Sequence, residues 1–209
     1  LRTWLAWAEP GVARLAELSR LPLFDGLAPG DTVDRMVRLW AERERLLDAL
    51  DRLPRTFCHH DAIRRNLAAR TSPDGHEETV IFDWAAAGIG VVGAEIAPLF
   101  ASSLRFQTVD IDRIPDFDRR IFDGYLAGLR DAGWDGEACL VRFAYTAIAA
   151  LKMGVAAMGI KWPAVARRAA ALPAGVEPPR LLGPGRDQIV ALRRYLLTLG
   201  DEALSLQPT

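Results

Sequence analysis

The stretch "FCHHDAIRRNLAAR", residues 57–70, sets two of the chain's three histidines side by side, directly before an aspartate. Three readings compete: metal ligands, polar residues at a strand end, or a catalytic loop whose working residue is the aspartate. A zinc site on Cys58, His59 and His60 would need three adjacent side chains to converge. Neighbours in an extended segment point to opposite faces, so at most two can. The spacing instead singles out Asp61 and Asn66, in the pattern H-x-D-x-x-x-x-N. A second aspartate, Asp83, ends the apolar run "TVIFDW" (79–84).

The composition fits a globular protein. Of 209 residues, 50% are hydrophobic and 25% charged, and the net charge is −1. That length can bury a substantial core. Arginine pairs (Arg64–Arg65, Arg119–Arg120, Arg167–Arg168, Arg193–Arg194) are scattered, without the concentrated basic surface that nucleic-acid binding needs. The two cysteines, Cys58 and Cys139, form no C-x-x-C pair, which argues against a disulfide framework and for a reducing, cytoplasmic setting. The opening "LRTWLAWAEP" has no initiator Met and no charged-then-apolar leader, so a signal peptide is not expected and residue 1 reads as an internal start. The most membrane-like segment, residues 139–160, is interrupted by Arg142 and Lys152. Its uncharged run falls well short of the roughly 18 residues of a span, so it reads as a buried helix and no membrane partner is expected.

Periodicity predicts a mostly helical chain around a small β element. Short helices occupy the first thirty residues. Val33, Met36, Val37, Trp40, Leu47 and Leu50 recur at helical spacing and predict a helix over 32–52, capped by Asp31 or Thr32 and followed by Pro54. "TFCH" is a short extended piece. "NLAAR" and "ETVIFDW" flank the turn "SPDG" (72–75), predicting a hairpin over 66–84. Gly88, Gly90 and Gly93 predict a loop. Helices follow at about 94–105, 116–132, 136–160, 163–171 and 187–199, with a proline- and glycine-rich connection over 173–185.

The polar residues of the β element suit phosphoryl transfer. Such a site needs an aspartate that orients the acceptor hydroxyl and takes its proton, plus oxygen ligands that hold Mg²⁺ against nucleotide phosphates. Asp61 suits the first role. Asn66 offers an amide oxygen and Asp83 a carboxylate for the second. Strand alternation puts Val80, Phe82 and Trp84 on one face, and buried apolar neighbours are expected to fix that strand so that Asp83 emerges at its end.

"CHHDAIRRN" and "VIFDWAAAGIG" resemble the catalytic loop and metal-binding segment of the aminoglycoside phosphotransferase/choline kinase-like family. The resemblance covers about residues 55–100. It implies an α+β, mostly α-helical protein: the C-terminal lobe of a protein-kinase-like fold, with a small β-hairpin bearing the catalytic loop. It implies Asp61 as catalytic base, Asn66 and Asp83 as ligands of Mg²⁺ and hence of ATP or another NTP, and His59 as loop support. The acceptor would be a small-molecule hydroxyl, aminoglycoside-, choline- or sugar-like. Two positions depart from the family pattern. His60 stands where many members have a small residue. In "GVVGAE" (90–95), Val91 and Glu95 stand at acidic positions, and Glu95 could still brace the loop from a helix start.

Kinases of this kind need an N-terminal lobe with a phosphate-covering loop and a lysine. No G-x-G-x-x-G precedes residue 55, and the first lysine is Lys152. The expected organisation is therefore one lobe: a helical lead-in (1–54), the catalytic loop and metal-binding hairpin (55–93), and a helical acceptor-side subdomain (94–209). The nucleotide-binding lobe is expected to be absent and the chain alone inactive. The alternative is a non-catalytic kinase-like binding module. Among the remaining candidates, Arg64 and Arg65 read equally as phosphate neighbours or braces, Asp116 as a helix start, and Trp134, Tyr145 and Trp162 as core.

Overall fold

A computed structural model describes residues 1–173 and 185–208. The expected connection over 173–185 lies almost wholly outside the described residues. The lead-in comprises α1 (Arg2–Val12), the single turn α2 (Leu15–Leu18), α3 (Thr32–Ala41) and α4 (Arg43–Asp51). The stripe expected over 32–52 is present, but the helix breaks at Glu42, whose backbone leaves ideal helical values. Met36, Leu39 and Trp40 bury one face of α3, and Leu46, Leu47 and Leu50 one face of α4. Neither Asp31 nor Thr32 caps α3 with its side chain; the Thr32 hydroxyl instead donates to the Pro29 carbonyl.

Among the described residues, four strands form two small antiparallel sheets. Strand β2 (Leu67–Thr71) pairs with β3 (Glu77–Ile81) as a hairpin, Leu67 opposite Ile81. Strand β1 (Arg55–Cys58) pairs with β4 (Gly88–Val91), Cys58 opposite Gly88. Gly88 and Gly90 thus lie in a strand where a loop was expected, and Gly93 in the turn that follows it. The expectation of a buried β3 also fails. Phe82 and Trp84 are 46% and 48% exposed, and the strand ends before Asp83, which adopts a left-handed conformation.

The rest is helical: α5 (Ile96–Arg105), α6 (Ile114–Asp131), α7 (Ala138–Ile148), α8 (Ala157–Ala170) and α9 (Arg186–Leu206). Two helices were expected across 136–171. Instead α7 and α8 run on as one rod through a π-helical segment, Ala149–Ala156, and through Pro163. The rod is long and apolar enough to cross a membrane, yet 78% of its most apolar window is buried inside the protein, as a core helix would be. Proline lacks the N–H that would bond the Gly159 carbonyl. Gly11 of α1 packs directly onto that oxygen, and a side chain at either glycine would collide with the facing backbone. Two bare glycines thus let α1 and α8 cross in close contact.

The lone Arg142 in the apolar run of α7 is neutralised inside the helical layer. Its Nη1 and Nη2 donate to the two carboxylate oxygens of Asp118 at 3.0 and 2.8 Å, and its Nε donates to Glu202 at 2.7 Å. The hydroxyls of Tyr145 and Tyr195 donate to Asp118 at 2.6 and 3.0 Å. Asp118 is 4% exposed, so four donors surround a carboxylate that water does not reach. Burial opposes the Arg142 charge, but its bonds to Glu202 and Asp118 override that and hold its pKa above the ordinary arginine value.

Candidate active site

The loop from Cys58 to Asn66 joins the two sheets, and its backbone directs the adjacent histidines apart. His59 is buried. Its Nε2 lies 2.9 Å from the Phe82 carbonyl, and its Nδ1 accepts from the Asp61 N–H at 3.2 Å. Because Nδ1 accepts, the ring proton is on Nε2 and donates to Phe82. The imidazole thereby ties the loop to the residue preceding Asp83. The edge of its ring also meets Trp84, with centroids 4.8 Å apart.

His60 turns the other way, with φ at +63°. That left-handed conformation strains a residue with a Cβ. Its ring lies over Gly88 and Gly90. A Cβ at Gly90 would stand 2.6 Å from His60 Cε1 and 2.8 Å from Cys58 Sγ. Gly90→Ala is therefore expected to lower stability by about 1–3 kcal/mol. Adding His60→Gly should recover part of that loss in a double-mutant cycle of thermal melts, and strict additivity would remove His60 from the contact.

Glu95, just ahead of α5, accepts the backbone N–H groups of His59 and His60 at 2.8 and 2.9 Å. One carboxylate thus holds both peptide units at the loop's bend. The donor atoms of Cys58, His60 and Glu95 lie within 4.8 Å of one another. Alternate rather than adjacent residues converge, and His59 stands apart. Burial and the Glu95 charge push the Cys58 thiol up to about 11, so it is a neutral core group.

Asn66 is 4% exposed. Its amide nitrogen donates to both the carbonyl and the Oδ2 of Asp61, each at 2.9 Å. Those two acceptors fix which way the amide faces, and its oxygen points away from both. The Asn66 carbonyl accepts from the Phe82 N–H at 3.1 Å, so the hairpin's base and the loop's end are one hydrogen-bonded unit. Asp83 follows directly, and among the described residues its carboxylate has no hydrogen-bond or ion-pair partner. Arg65 approaches Asp61 at 3.8 Å but is 73% exposed; Arg64 has no ion-pair partner among the described residues.

A cavity of about 360 Å³ reaches the loop at His60, between α4, β4 and the π-helical segment. Its wall is partly apolar, with Leu47, Leu50, Ile89 and Val91, and Lys152 projects into it. Burial lowers the pKa of Lys152, against the raising pull of Asp61 and Glu95. In the sequence Lys152 stood out only as a break in an apolar run; its register on the helical rod, which the π-helical segment sets, could not be read there. Tyr145 and Trp162 are buried core residues and Trp134 is packed against the core. Asp116 does not start α6, which begins at Ile114; it lies in the first turn and is held by Arg120, Arg119 and Arg113. The bond from Arg120 leads in keeping its carboxyl below the usual range.

The model of the phosphotransferase enzyme family matches residues 2–139, more than half of the chain. The match spans Asp61, Asn66, Asp83 and Glu95, and stops at the start of α7. No curated protein and no solved structure matches the chain significantly.

Proposed function

The chain belongs to the phosphotransferase enzyme family, and on that premise we propose that it is the catalytic lobe of an ATP-dependent kinase acting on a small-molecule hydroxyl. The observation that carries this reading is the Asp61–Asn66–Asp83 unit, two carboxylates and an amide tied together through Phe82 and His59. The donor set fits Mg²⁺. Asn66 keeps its amide oxygen free of Asp61, and Asp83 is an unengaged carboxylate; hard cations take such oxygens. Asn66 and Asp83 would hold the ion, which when bound with the nucleotide neutralises phosphate charge.

Asp61 supplies the base. With Oδ2 held by Asn66, Oδ1 would take the acceptor hydroxyl's proton, and the bound nucleotide would supply the phosphoryl group and leave as the diphosphate. Asn66 grips Oδ2 and fixes the carboxylate's plane. His59 and Glu95 hold the loop's backbone so that this orientation costs nothing at the moment of transfer. The cavity at His60 is the acceptor's place on this reading, with Lys152 at its inner wall.

A phosphate-covering loop and lysine are still needed, and residues 1–54 offer neither. On this reading they come from a separate lobe ahead of residue 1. The test compares residues 1–209 alone with the same chain preceded by that lobe, against a panel of amino-alcohols, aminoglycosides and sugars, following ADP release. Transfer is expected only with the lobe. Turnover at an ordinary kinase rate by residues 1–209 alone would overturn the two-lobe division. Nucleotide binding without turnover on any acceptor would favour the binding module.

A further inference from the structure

A second cavity, about 350 Å³, opens between α5, α8 and α9. It shares no lining residue with the cavity at His60. Its size is at the lower end for a small-molecule site, about 300–1,000 Å³. The wall is largely apolar, with Met153, Met158, Ile189, Leu192 and Leu196. Among the described residues the charged lining has a single sign: Arg105, Lys161, Arg168 and Arg193, and no Asp or Glu.

That is unexpected in a chain with 27 acidic and 26 basic residues. Some arginines elsewhere are neutralised, as Arg2 is by Glu44, Asp48 and Asp51; others, such as the exposed Arg64, form no ion pair among the described residues. Among the described residues none of the four lining cations forms an ion pair. Arg193 is buried, its Nη1 donates to the neutral Leu27 carbonyl, and its guanidinium lies 5.2 Å from the Trp162 ring. Desolvation brings Arg193 down to about 10. Desolvation, with Arg105 and Arg193 nearby, brings Lys161 down to about 8. Both remain cationic at neutral pH. Lys161 and Arg168 reach solvent, but Arg193 is a buried charge with no carboxylate partner among the described residues, and buried charges are ordinarily paired. Trp162, which lines the same cavity, also carries a buried indole N–H that has no partner among the described residues.

We propose that this cavity binds a single-chain anionic amphiphile, its carboxylate or phosphate head against Arg105, Lys161 and Arg168 and its alkyl chain along the methionine and leucine wall. Guanidinium groups match such oxyanions in shape and charge. The apolar wall selects an anion with a hydrocarbon body over a bare one. The site stands apart from the phosphotransferase reading and does not depend on it.

The test is calorimetric titration of the full chain, below micellar concentration, with decyl phosphate, decanoate, decyltrimethylammonium and inorganic phosphate. Decyl phosphate and decanoate are expected to saturate at one per chain, with inorganic phosphate at least about tenfold weaker and the cation not bound. The double variant Lys161→Met with Arg168→Met, both at solvent-reaching positions, should weaken decyl phosphate at least about tenfold. Ala164→Trp fills the cavity while keeping every charge, and should abolish binding. Both variants are checked by melting without ligand. No saturable binding of decyl phosphate, equal binding of the cationic amphiphile, inorganic phosphate as tight as decyl phosphate, or unchanged affinity in both variants would each overturn the site.

Discussion

Replacing Asp61 by Asn is expected to cut phosphoryl transfer by about 10²–10⁴-fold, the usual contribution of a positioned general base, while leaving the fold intact. The substitution is close to isosteric. An amide at this position still presents one oxygen to the Asn66 Nδ2, now 2.9 Å from Asp61 Oδ2. The backbone bonds that shape the loop, from Asp61 N to His59 and from Ile63 N to the Asp61 carbonyl, do not involve the side chain. What disappears is the basic oxygen. The measurement pairs ADP release, on the chain carrying its covering lobe, with thermal melting. A fall in turnover with an unchanged melt supports Asp61 as base, whereas wild-type turnover would remove it from that role. A fall in both would mean that Asp61 holds the loop instead.

Asp118→Ala should be the most damaging single change to stability, at about 3–5 kcal/mol. The cost comes from what stays behind. Arg142 loses both of its bonds to Asp118, and the hydroxyls of Tyr145 and Tyr195 lose their acceptor. Tyr145 is fully buried, so no water replaces the carboxylate. At about 2–4 °C per kcal/mol for a chain of this size, the melting temperature should fall by roughly 6–20 °C. Asp116→Ala is the control: three arginines hold it in solvent, where such pairs contribute little, and its melt should barely move. Equal effects at the two positions would refute the distinction between a buried network and a surface one.

The helical content and the hairpin were legible because their signals are local. Apolar spacing marks α3 and α4, and the turn residues of "SPDG" mark the join of β2 and β3. The nearness of Asp61 and Asn66 was legible for the same reason, since four intervening residues can close a loop. What sequence could not supply was long-range. Strand β4 looked like a loop because its glycines carry no β signal; Gly90 is there because Cys58 and His60 occupy the space a Cβ would take. Pro163 suggested a helix boundary, yet the packing of α1 against Gly159 carries the rod through it. The exposure of Phe82 and Trp84 was unexpected, because alternation says which side chains share a face and not whether anything covers that face. Arg142 was the readable clue to the Asp118 network: a lone arginine in an apolar run needs a buried carboxylate, but nothing in the sequence says which.

The π-helical segment Ala149–Ala156 makes the rod a device for setting phase. Hydrogen bonds of the i→i+5 type widen the turn, so the far half of the rod points in directions that a continuous α-helix would not reach. An i→i+5 turn holds about one residue more than an α-turn, so shortening this segment by one residue would let it close to α-helix with Gly159 still facing Gly11. The rod therefore tolerates a change of residue count at this point, whereas in an ordinary helix interior each residue removed turns everything beyond it by about 100°.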